Sequence, residues 1–339
     1  MKYKNLKKFV CLCFCLALTI LSVGCASGDS DKDEASDNSG KTEKTEYTHR
    51  VILMSDVHYV PGVSAAEYNA QYPNANCPPA AGDLFGYTMA EKMSIIMEDI
   101  NTFMKRDPID AVLVLGDLST DDYGYRNMPE NYVKKFKEEV MDQFPVESYA
   151  LAGNHDGYTN DMWKAVFGYD RQYSFKIGDA AFVMMDAYQG GTATGSTGSP
   201  CVGFDMDWLE NEIEKYPTEQ IFICIHEMDS AESDYRLGKL VRENDRIVCF
   251  FRGHTHRSGT YTCENLQNKF LFDLGSYAYN GDNYRTFSPE FAWGYGVLEW
   301  NDTEANYYHV KYGRKYIGDN GEFDYVGAIE DKQTIEFKK

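Results

Sequence analysis

The stretch Asp110-Ala-Val-Leu-Val-Leu-Gly-Asp117 holds five consecutive apolar residues and ends in a glycine and an aspartate. A short apolar run without alternation predicts a strand that is buried on both faces of a sheet. Four more apolar runs end beside a polar motif in the same way, at residues 50–55, 146–152, 221–225 and 247–251. These runs predict the buried strands of a sheet covered by helices.

Segments with apolar residues at helical spacing lie between these strands. They cover residues 88–104, 131–143, 205–215 and 232–244, and a further buried strand is expected at 182–185. The alternation of strands and helices predicts an α/β core built from β-α-β units.

The pattern changes after Gly259, where the helical spacing is lost. Aromatic, alternating segments at residues 269–274, 295–300 and 306–312 predict antiparallel strands. Asp319-Asn320-Gly321 is typical of a hairpin turn. We therefore expect an antiparallel β part at the C-terminal end of the α/β domain.

Five short polar motifs follow the strand-like runs, and together they hold five of the seven histidines. The motifs are Asp56-Val57-His58, Gly116-Asp117, Gly153-Asn154-His155-Asp156, His226 and Gly253-His254-Thr255-His256. Because each motif ends a strand, all five can converge on one edge of a sheet. Their side chains offer oxygen and nitrogen donors, and the set needs no cysteine.

This donor set suits two metal ions that share one site. Two divalent ions about 3.5–4 Å apart can be bridged by one hydroxide, and a carboxylate between them offsets their repulsion. Asp117 is a plausible bridging carboxylate, and Asn154 offers an amide oxygen. Asp56 and His58 lie two residues apart on a segment expected to be extended, so both can face the same side, and His254 and His256 repeat that spacing.

Glycines precede three of the motif residues, at Gly116, Gly153 and Gly253. A small residue at a strand end lets the backbone turn sharply.

Each motif alone has another explanation. Asp-x-His after a strand is common in turns, Gly-Asp follows buried strands in many α/β proteins, and His226 could be a core histidine with satisfied hydrogen bonds. Gly-His-x-His could bind a single structural metal. The joint occurrence of all five motifs, in this order and each at a strand end, favours the metal site.

With every motif present over residues of about 50–260, the chain resembles the calcineurin-like metallophosphoesterase superfamily. The resemblance implies a four-layer α/β-β/α sandwich with the site at the strand ends. It also implies an enzyme that hydrolyses phosphate monoesters or diesters with a metal-bridging hydroxide. Its cofactors would be two divalent or trivalent ions, of manganese, iron or zinc, and its substrate a small phosphorylated molecule.

The resemblance further implies a role for each motif residue. One metal would be bound by Asp56, His58, Asp117 and His256. The other would be bound by Asp117, Asn154, His226 and His254. His155 would bind no metal but would contact the phosphate and the leaving-group oxygen, and Asp156 would orient His155.

Two positions depart from the pattern of this superfamily. Purple acid phosphatases carry a tyrosine ligand at the position of Thr120, so an iron–tyrosinate chromophore is not expected. Glu227 and Asp229 follow His226 where a His or Pro is frequent. These acidic residues would oppose substrates rich in phosphate.

The first 25 residues predict a lipoprotein signal peptide. Four lysines precede an apolar segment, Phe9–Val23, which is too short for a confident membrane span. Leu21-Ser22-Val23-Gly24-Cys25 resembles a lipobox, with Ser22 at the usual leucine position. We expect lipidation at Cys25 and an exported protein anchored in a membrane, at the cell surface or on the periplasmic side. The alternative is an ordinary cleaved signal with an incidental cysteine.

Residues 26–46 are rich in Ser, Gly, Asp, Glu, Lys and Thr and hold no large apolar residue. Such a segment cannot bury enough surface to fold, which predicts a disordered linker. Residues 47–339 remain for a single large domain, with the motifs in about 50–260 and the β-rich part in about 260–339.

The formal net charge is −20. Because residues 1–24 carry four lysines and no acidic residue, the exported form would be near −24. This charge repels nucleic acids, so bulk nucleic acid is not an expected partner. An anionic substrate would need a local positive charge, which bound metals supply. The alternative function is a surface lipoprotein that binds metal or phosphate without catalysis, but His155 has no purpose in metal capture alone.

Overall fold

The computed structural model describes residues 46–59, 89–119, 131–190, 199–228, 234–277, 293–317 and 322–338. Residues 46–339 form one compact unit. The predicted signal peptide with Cys25, the linker up to residue 45, Thr120, Asp229 and the turn at 319–321 lie outside the described residues. Among the helices that are described, none has the length and apolar character to cross a membrane.

Within the described ranges, five α-helices lie between the strands. They are α1 Met89–Arg106, α2 Tyr132–Glu139, α3 Asn160–Phe167, α4 Met206–Glu214 and α5 Tyr235–Glu243. Helices α2 to α5 each begin after a residue whose side chain accepts a hydrogen bond from a first-turn N–H group. These capping residues are Asn131, Thr159, Asp205 and Asp234.

One predicted helix is shorter than the sequence suggested. The expected helix at residues 131–143 ends at Glu139 and is followed by a separate 3-10 turn, Met141–Gln143. Phe144 then adopts an extended conformation. The α-helix ends where Val140 leaves the helical conformation, with a φ of −121°, and Pro145 disfavours helical backbone at Phe144, which ends the 3-10 turn.

The described part of the chain forms twelve strands in two six-stranded sheets. They are β1 His49–Met54, β2 Ala111–Leu115, β3 Glu147–Leu151, β4 Tyr173–Ile177, β5 Ala180–Met185, β6 Gln220–Ile225, β7 Ile247–Arg252, β8 Ser258–Thr262, β9 Phe270–Leu274, β10 Trp293–Trp300, β11 Glu304–Ile317 and β12 Glu322–Glu336. The first sheet has the order β12-β11-β10-β1-β2-β3, and the second has the order β4-β5-β6-β7-β9-β8.

Both sheets are mixed. In the first, β1, β2 and β3 are parallel, while β10, β11 and β12 pair antiparallel as the C-terminal pattern predicted. In the second, β9 pairs antiparallel with β8, as expected for residues 269–274, but it pairs parallel with β7, which the sequence did not predict. The reason is that β8 runs antiparallel to β9 on its outer side, which leaves β9 beside β7 in the parallel direction.

The layers follow from the alternation of side chains along each strand. In β1, Val51 and Leu53 pack between the two sheets, whereas Ile52 and Met54 pack against the helices of the first sheet. The second sheet repeats this division, with its outer face packed against α4 and α5. The structure is therefore the predicted four-layer α/β-β/α sandwich with an antiparallel C-terminal part.

Candidate metal centre

The loops that carry the motifs are joined to each other by backbone hydrogen bonds at the carboxyl ends of the strands. Asp56 N–H donates to Gly116 O over 3.1 Å, and His58 N–H donates to Asp117 O over 2.9 Å. Gly253 N–H donates to the carbonyl of His226 over 3.1 Å. These bonds join loops within each sheet. His254 N–H donates to Asp56 Oδ2 over 3.0 Å and joins the loops of the two sheets at one edge of the sandwich, as the motif positions predicted.

The local backbone at the site differs from the extended segments that the sequence suggested. Asp56, His58, Asp117, His254 and His256 all have positive φ angles, between 48° and 69°. Residues other than glycine adopt this left-handed conformation only where the surrounding structure enforces it. Asp56 and His58 therefore face the same side because both turn sharply, and the same holds for His254 and His256.

The glycines before the ligands serve two different purposes. Gly116 has a φ of +90°, the turn that was expected. Gly153 and Gly253 make no such turn; instead, a Cβ atom on Gly153 would overlap Asp117, and one on Gly253 would overlap the Ser55 side chain. These two glycines permit the close approach of neighbouring loops.

Asp56, His58, Asp117 and His256 form the first group of candidate ligands, with one donor atom of each within 4.8 Å of the others. The Nε2 atoms of His58 and His256 are 3.3 Å apart. His256 Nε2 lies 3.2 Å from Asp56 Oδ1, and His58 Nε2 lies 3.5 Å from Asp117 Oδ2. Ligand atoms that bind one ion at about 2.0–2.2 Å lie roughly 3–4 Å from each other, so these separations fit a metal.

Asp117, His226 and His254 form the second group, so Asp117 is common to both. His226 Nε2 lies 3.3 Å from Asp117 Oδ2, and His254 Nδ1 lies 3.0 Å from Asn154 Oδ1. The structure thus brings all seven predicted ligands together in the two sets that the resemblance implied. Their roles as ligands stay predictions.

His226 shows which of its nitrogens faces the site. Its Nδ1 lies 2.7 Å from Leu115 O, so Nδ1 carries the proton in that hydrogen bond. Its Nε2 is buried and makes no hydrogen bond to any described residue, although it faces the Asp117 carboxylate. An orphaned nitrogen beside a buried carboxylate is the arrangement expected where a metal ion belongs.

The electrostatics of the site also call for a cation. Asp56 and Asp117 are both buried, with 0% and 1% of their surface exposed. Burial raises the pKa of Asp117, but the neighbouring histidines, above all His226, outweigh burial and hold the pKa well below its usual value. Burial alone would lower the pKa of His226, because it disfavours the charged imidazolium, but the carboxylates of Asp117 and Asp56 raise it to about 10. Without metal, a proton on His226 balances the carboxylates, and a bound ion would replace that proton.

His155 belongs to neither group of candidate ligands. Its backbone N–H donates to Asp117 Oδ1 over 2.8 Å, and its half-buried ring lies 5.3 Å from the His58 ring. His155 therefore sits beside the first group, and its contact with the substrate stays a prediction.

The Asp156 carboxylate binds backbone N–H groups of two neighbouring loops. Its carboxylate accepts hydrogen bonds from the N–H groups of Leu118, Ser119 and Gly153, over 2.9–3.3 Å. Burial and the nearby Asp117 raise the pKa of Asp156 to about 7. The described hydrogen bonds of Asp156 thus tie the loops after β2 and β3 together, and its orientation of His155 stays a prediction.

Two buried ion pairs support the loops of the site, and the sequence analysis missed both. Arg171 binds Asp186 through Nε and Nη2, over 2.8 and 3.0 Å, and also donates to the carbonyls of Asp156 and Tyr158. Arg252 Nε lies 2.5 Å from Asp273 Oδ1. The position of Arg252, directly before Gly253-His254, was a signal in the sequence, whereas nothing there marked Arg171.

A profile of the calcineurin-like phosphoesterase family matches residues 49–258. A search of curated proteins found no significant match. Among solved structures, the chain is similar to Vps29 of Entamoeba histolytica in complex with Zn²⁺, at 14% identity over 85% of this chain and 99% of that one, with a TM-score of 0.36.

Two further solved structures are similar at low identity. One is the sulfate thiohydrolase SoxB of Thermus thermophilus, at 11% identity over 76% of this chain and 55% of that one, with a TM-score of 0.43. The other is the NAD nucleotidase NadN of Haemophilus influenzae, at 11% identity over 85% of this chain and 50% of that one, with a TM-score of 0.37. Because the family profile covers more than half of its length, the chain belongs to the calcineurin-like phosphoesterase family.

Proposed function

We propose that this protein hydrolyses esters of phosphoric acid on small molecules outside the cytoplasm, with two metal ions as cofactors. The observation that carries the proposal is the position of Asp117, whose carboxylate is common to both groups of candidate ligands. A carboxylate shared in this way suits a pair of adjacent ions. Family membership supports the reaction class, and the donor set of imidazole, carboxylate and amide oxygen suits manganese, iron or zinc.

The residues of the site would have different roles. The ions, when bound, would supply positive charge that activates water and neutralises the oxygens of the phosphoryl group. Asp56, His58 and His256 would hold one ion, Asn154, His226 and His254 the other, with Asp117 between them. The buried carboxylates and the left-handed loops preorganise these donors before substrate arrives.

His155 would act on the substrate itself. It lies outside both groups of ligands but beside them, and its ring is half-buried, so it can reach a molecule that enters the site. An imidazole nitrogen of His155 would donate a hydrogen bond to a phosphoryl oxygen and transfer its proton to the departing oxygen. An imidazole suits this proton transfer near neutral pH.

The protein would act while held at a membrane by a lipid on Cys25. The support is the N-terminal sequence, in which four lysines, an apolar segment and a lipobox-like sequence precede a polar linker. Replacement of Cys25 by alanine should move the protein from the membrane fraction to the soluble fraction of cells. If Cys25→Ala remains in the membrane fraction, the lipid anchor is wrong.

The reaction is tested on residues 46–339, the compact unit, after loading with manganese, zinc or iron. p-Nitrophenyl phosphate reports monoester hydrolysis, and bis-p-nitrophenyl phosphate reports diester hydrolysis. Elemental analysis of the same sample counts the metal ions. We expect two ions per chain and turnover of at least one substrate.

Two results would contradict the proposal. Two bound ions without turnover of either substrate would favour a metal- or phosphate-binding protein that lacks catalysis. A single bound ion with full activity would show that Asp117 is not shared between two ions.

A further inference from the structure

His254 directs its two ring nitrogens at different partners. Nδ1 lies 3.0 Å from Asn154 Oδ1, on the side of the second group of candidate ligands. Nε2 lies 3.9 Å from Glu227 Oε1, on the opposite side of the ring. Glu227 thus faces a histidine of the site, although the sequence analysis treated it only as a source of negative charge beside His226.

Tyr188 holds Glu227 in this orientation. The Tyr188 hydroxyl donates to Glu227 Oε2 over 3.1 Å, which leaves Oε1 turned towards His254. Tyr188 is itself fixed, because its side chain is buried and its backbone N–H donates to Asp186 Oδ1 over 2.9 Å. Asp186 is the partner of Arg171, so the carboxylate of Glu227 is connected to a rigid part of the structure.

A histidine that binds a metal through one nitrogen carries its proton on the other. An acceptor for that N–H fixes the tautomer and the orientation of the ring and makes the ligating nitrogen more basic. For His226 the acceptor is the carbonyl of Leu115. For His254 the group in the equivalent position is the Glu227 carboxylate. At 3.9 Å the contact is longer than a direct hydrogen bond, so the Glu227 carboxylate acts on the Nε2 proton through its charge or through one bridging water.

We propose that Glu227, held by Tyr188, is a positioning residue that keeps the proton of His254 on Nε2 and directs Nδ1 at the second metal. The inference rests on the proposed function only in requiring that the group of Asp117, His226 and His254 binds an ion. In this role, the two carboxylate oxygens of Glu227 face Tyr188 and His254.

Metal affinity tests this proposal without reference to catalysis. Full-length protein is titrated with Zn²⁺ in competition with a chelating dye, which resolves two binding steps. We expect Glu227→Gln to weaken one step by about 10–100-fold and to leave the other unchanged. Tyr188→Phe, which removes only the hydrogen bond to Glu227, should weaken the same step to a smaller extent.

Glu212→Gln is the matched control. Glu212 is a glutamate that is more buried than Glu227, and its carboxylate contacts Lys215, at the end of α4, and Ser174 instead of a motif histidine. Both zinc affinities of Glu212→Gln should equal those of the wild type. If Glu227→Gln also binds both ions with wild-type affinity, the proposal is wrong.

The tautomer of His254 provides a second, independent readout. In zinc-loaded protein with ¹⁵N-labelled histidine, we expect His254 to be protonated at Nε2, with a proton that exchanges faster in Glu227→Gln. Protonation of His254 at Nδ1 would overturn the proposal. If the protein binds two ions but hydrolyses no ester, the proposed function fails while a weakened zinc step in Glu227→Gln still supports the positioning role.

Discussion

Arg171 should contribute more to stability than any surface arginine of this protein, because its charge is buried with its partner. The Arg171 and Asp186 side chains expose 2% and 3% of their surface. Arg171 also donates to the carbonyls of Asp156 and Tyr158, and its guanidinium lies 6.0 Å from the centre of the Trp163 ring. Replacement by methionine keeps much of the volume and removes every donor.

The expected cost follows from what Arg171→Met leaves behind. Removal of one partner from a buried ion pair costs about 3–5 kcal/mol, because the other charge stays buried. Asp186 would keep the N–H groups of Tyr188 and Gly190 as partners, over 2.9 and 2.7 Å, which favours the lower part of that range. The carbonyls that lose a donor add about 1 kcal/mol or more. We therefore expect a loss of about 3–5 kcal/mol in the free energy of unfolding.

Arg236→Met is the matched control. Arg236 also contacts two carboxylate oxygens, those of Asp207 and Glu210, over 2.7 and 2.9 Å. Its side chain is 48% exposed, however, so water screens both pairs and the loss should be small compared with that of Arg171→Met. Urea unfolding followed by tryptophan fluorescence gives both values. If the two variants lose the same stability to within about 1 kcal/mol, burial does not set the contribution of Arg171.

Three further predictions concern the site and the first helix. His155→Ala should lower turnover by about 10²–10⁴-fold while elemental analysis still finds two ions, and a wild-type rate would refute the role of His155 in proton transfer. Gly153→Ala should lower turnover by about 100-fold, because the added methyl group displaces Asp117. Gly168→Ala has open space at its Cβ but a left-handed backbone with a φ of +83°, so it should lose stability and retain activity in the same assay. Burial lowers the pKa of Lys92 to about 7, so between pH 7 and 10.5 the unfolded chain binds a proton that the folded chain does not. The free energy of unfolding of the wild type, relative to that of Lys92→Met, should therefore rise with pH by at most about 1.4 kcal/mol per pH unit. If urea unfolding gives the same difference between the two proteins at pH 7, 8.5 and 10, this prediction is wrong.

The sequence predicted the interior of the fold well, because buried strands leave a direct signal. The run Ala111–Leu115 is fully buried, as its unbroken apolar character required. Edge strands were harder to find. Residues 173–177 read Tyr-Ser-Phe-Lys-Ile, an alternation that fits the edge strand β4, but a segment of four half-exposed residues and one exposed lysine is hard to distinguish from a loop. The parallel direction of β9 depends on the return of the chain through β8, which no local pattern records.

The sequence predicted which residues form the site but not their backbone conformation. Aspartate and histidine at strand ends indicated which residues come together in the site, because the residue type determines which donor atoms a side chain offers. The left-handed backbone at Asp56 and His58 could not be predicted from residue type, because it costs energy locally and persists only where neighbouring loops impose it. The contacts that impose it are formed between residues far apart in sequence, such as His58 N–H with Asp117 O.

The two buried ion pairs fit the same explanation. A buried ion pair contributes little net stability compared with apolar packing, so its placement calls for a reason other than the stability of the sandwich. Arg171 binds the carbonyls of the loop that follows Asn154, and Arg252 directly precedes the loop of His254 and His256. Asp273, the partner of Arg252, also accepts a hydrogen bond from Thr255 within that loop. The apolar layers therefore determine the sandwich fold, while the buried ion pairs hold the loops of the candidate ligands, which include left-handed conformations that are unfavourable for the backbone alone.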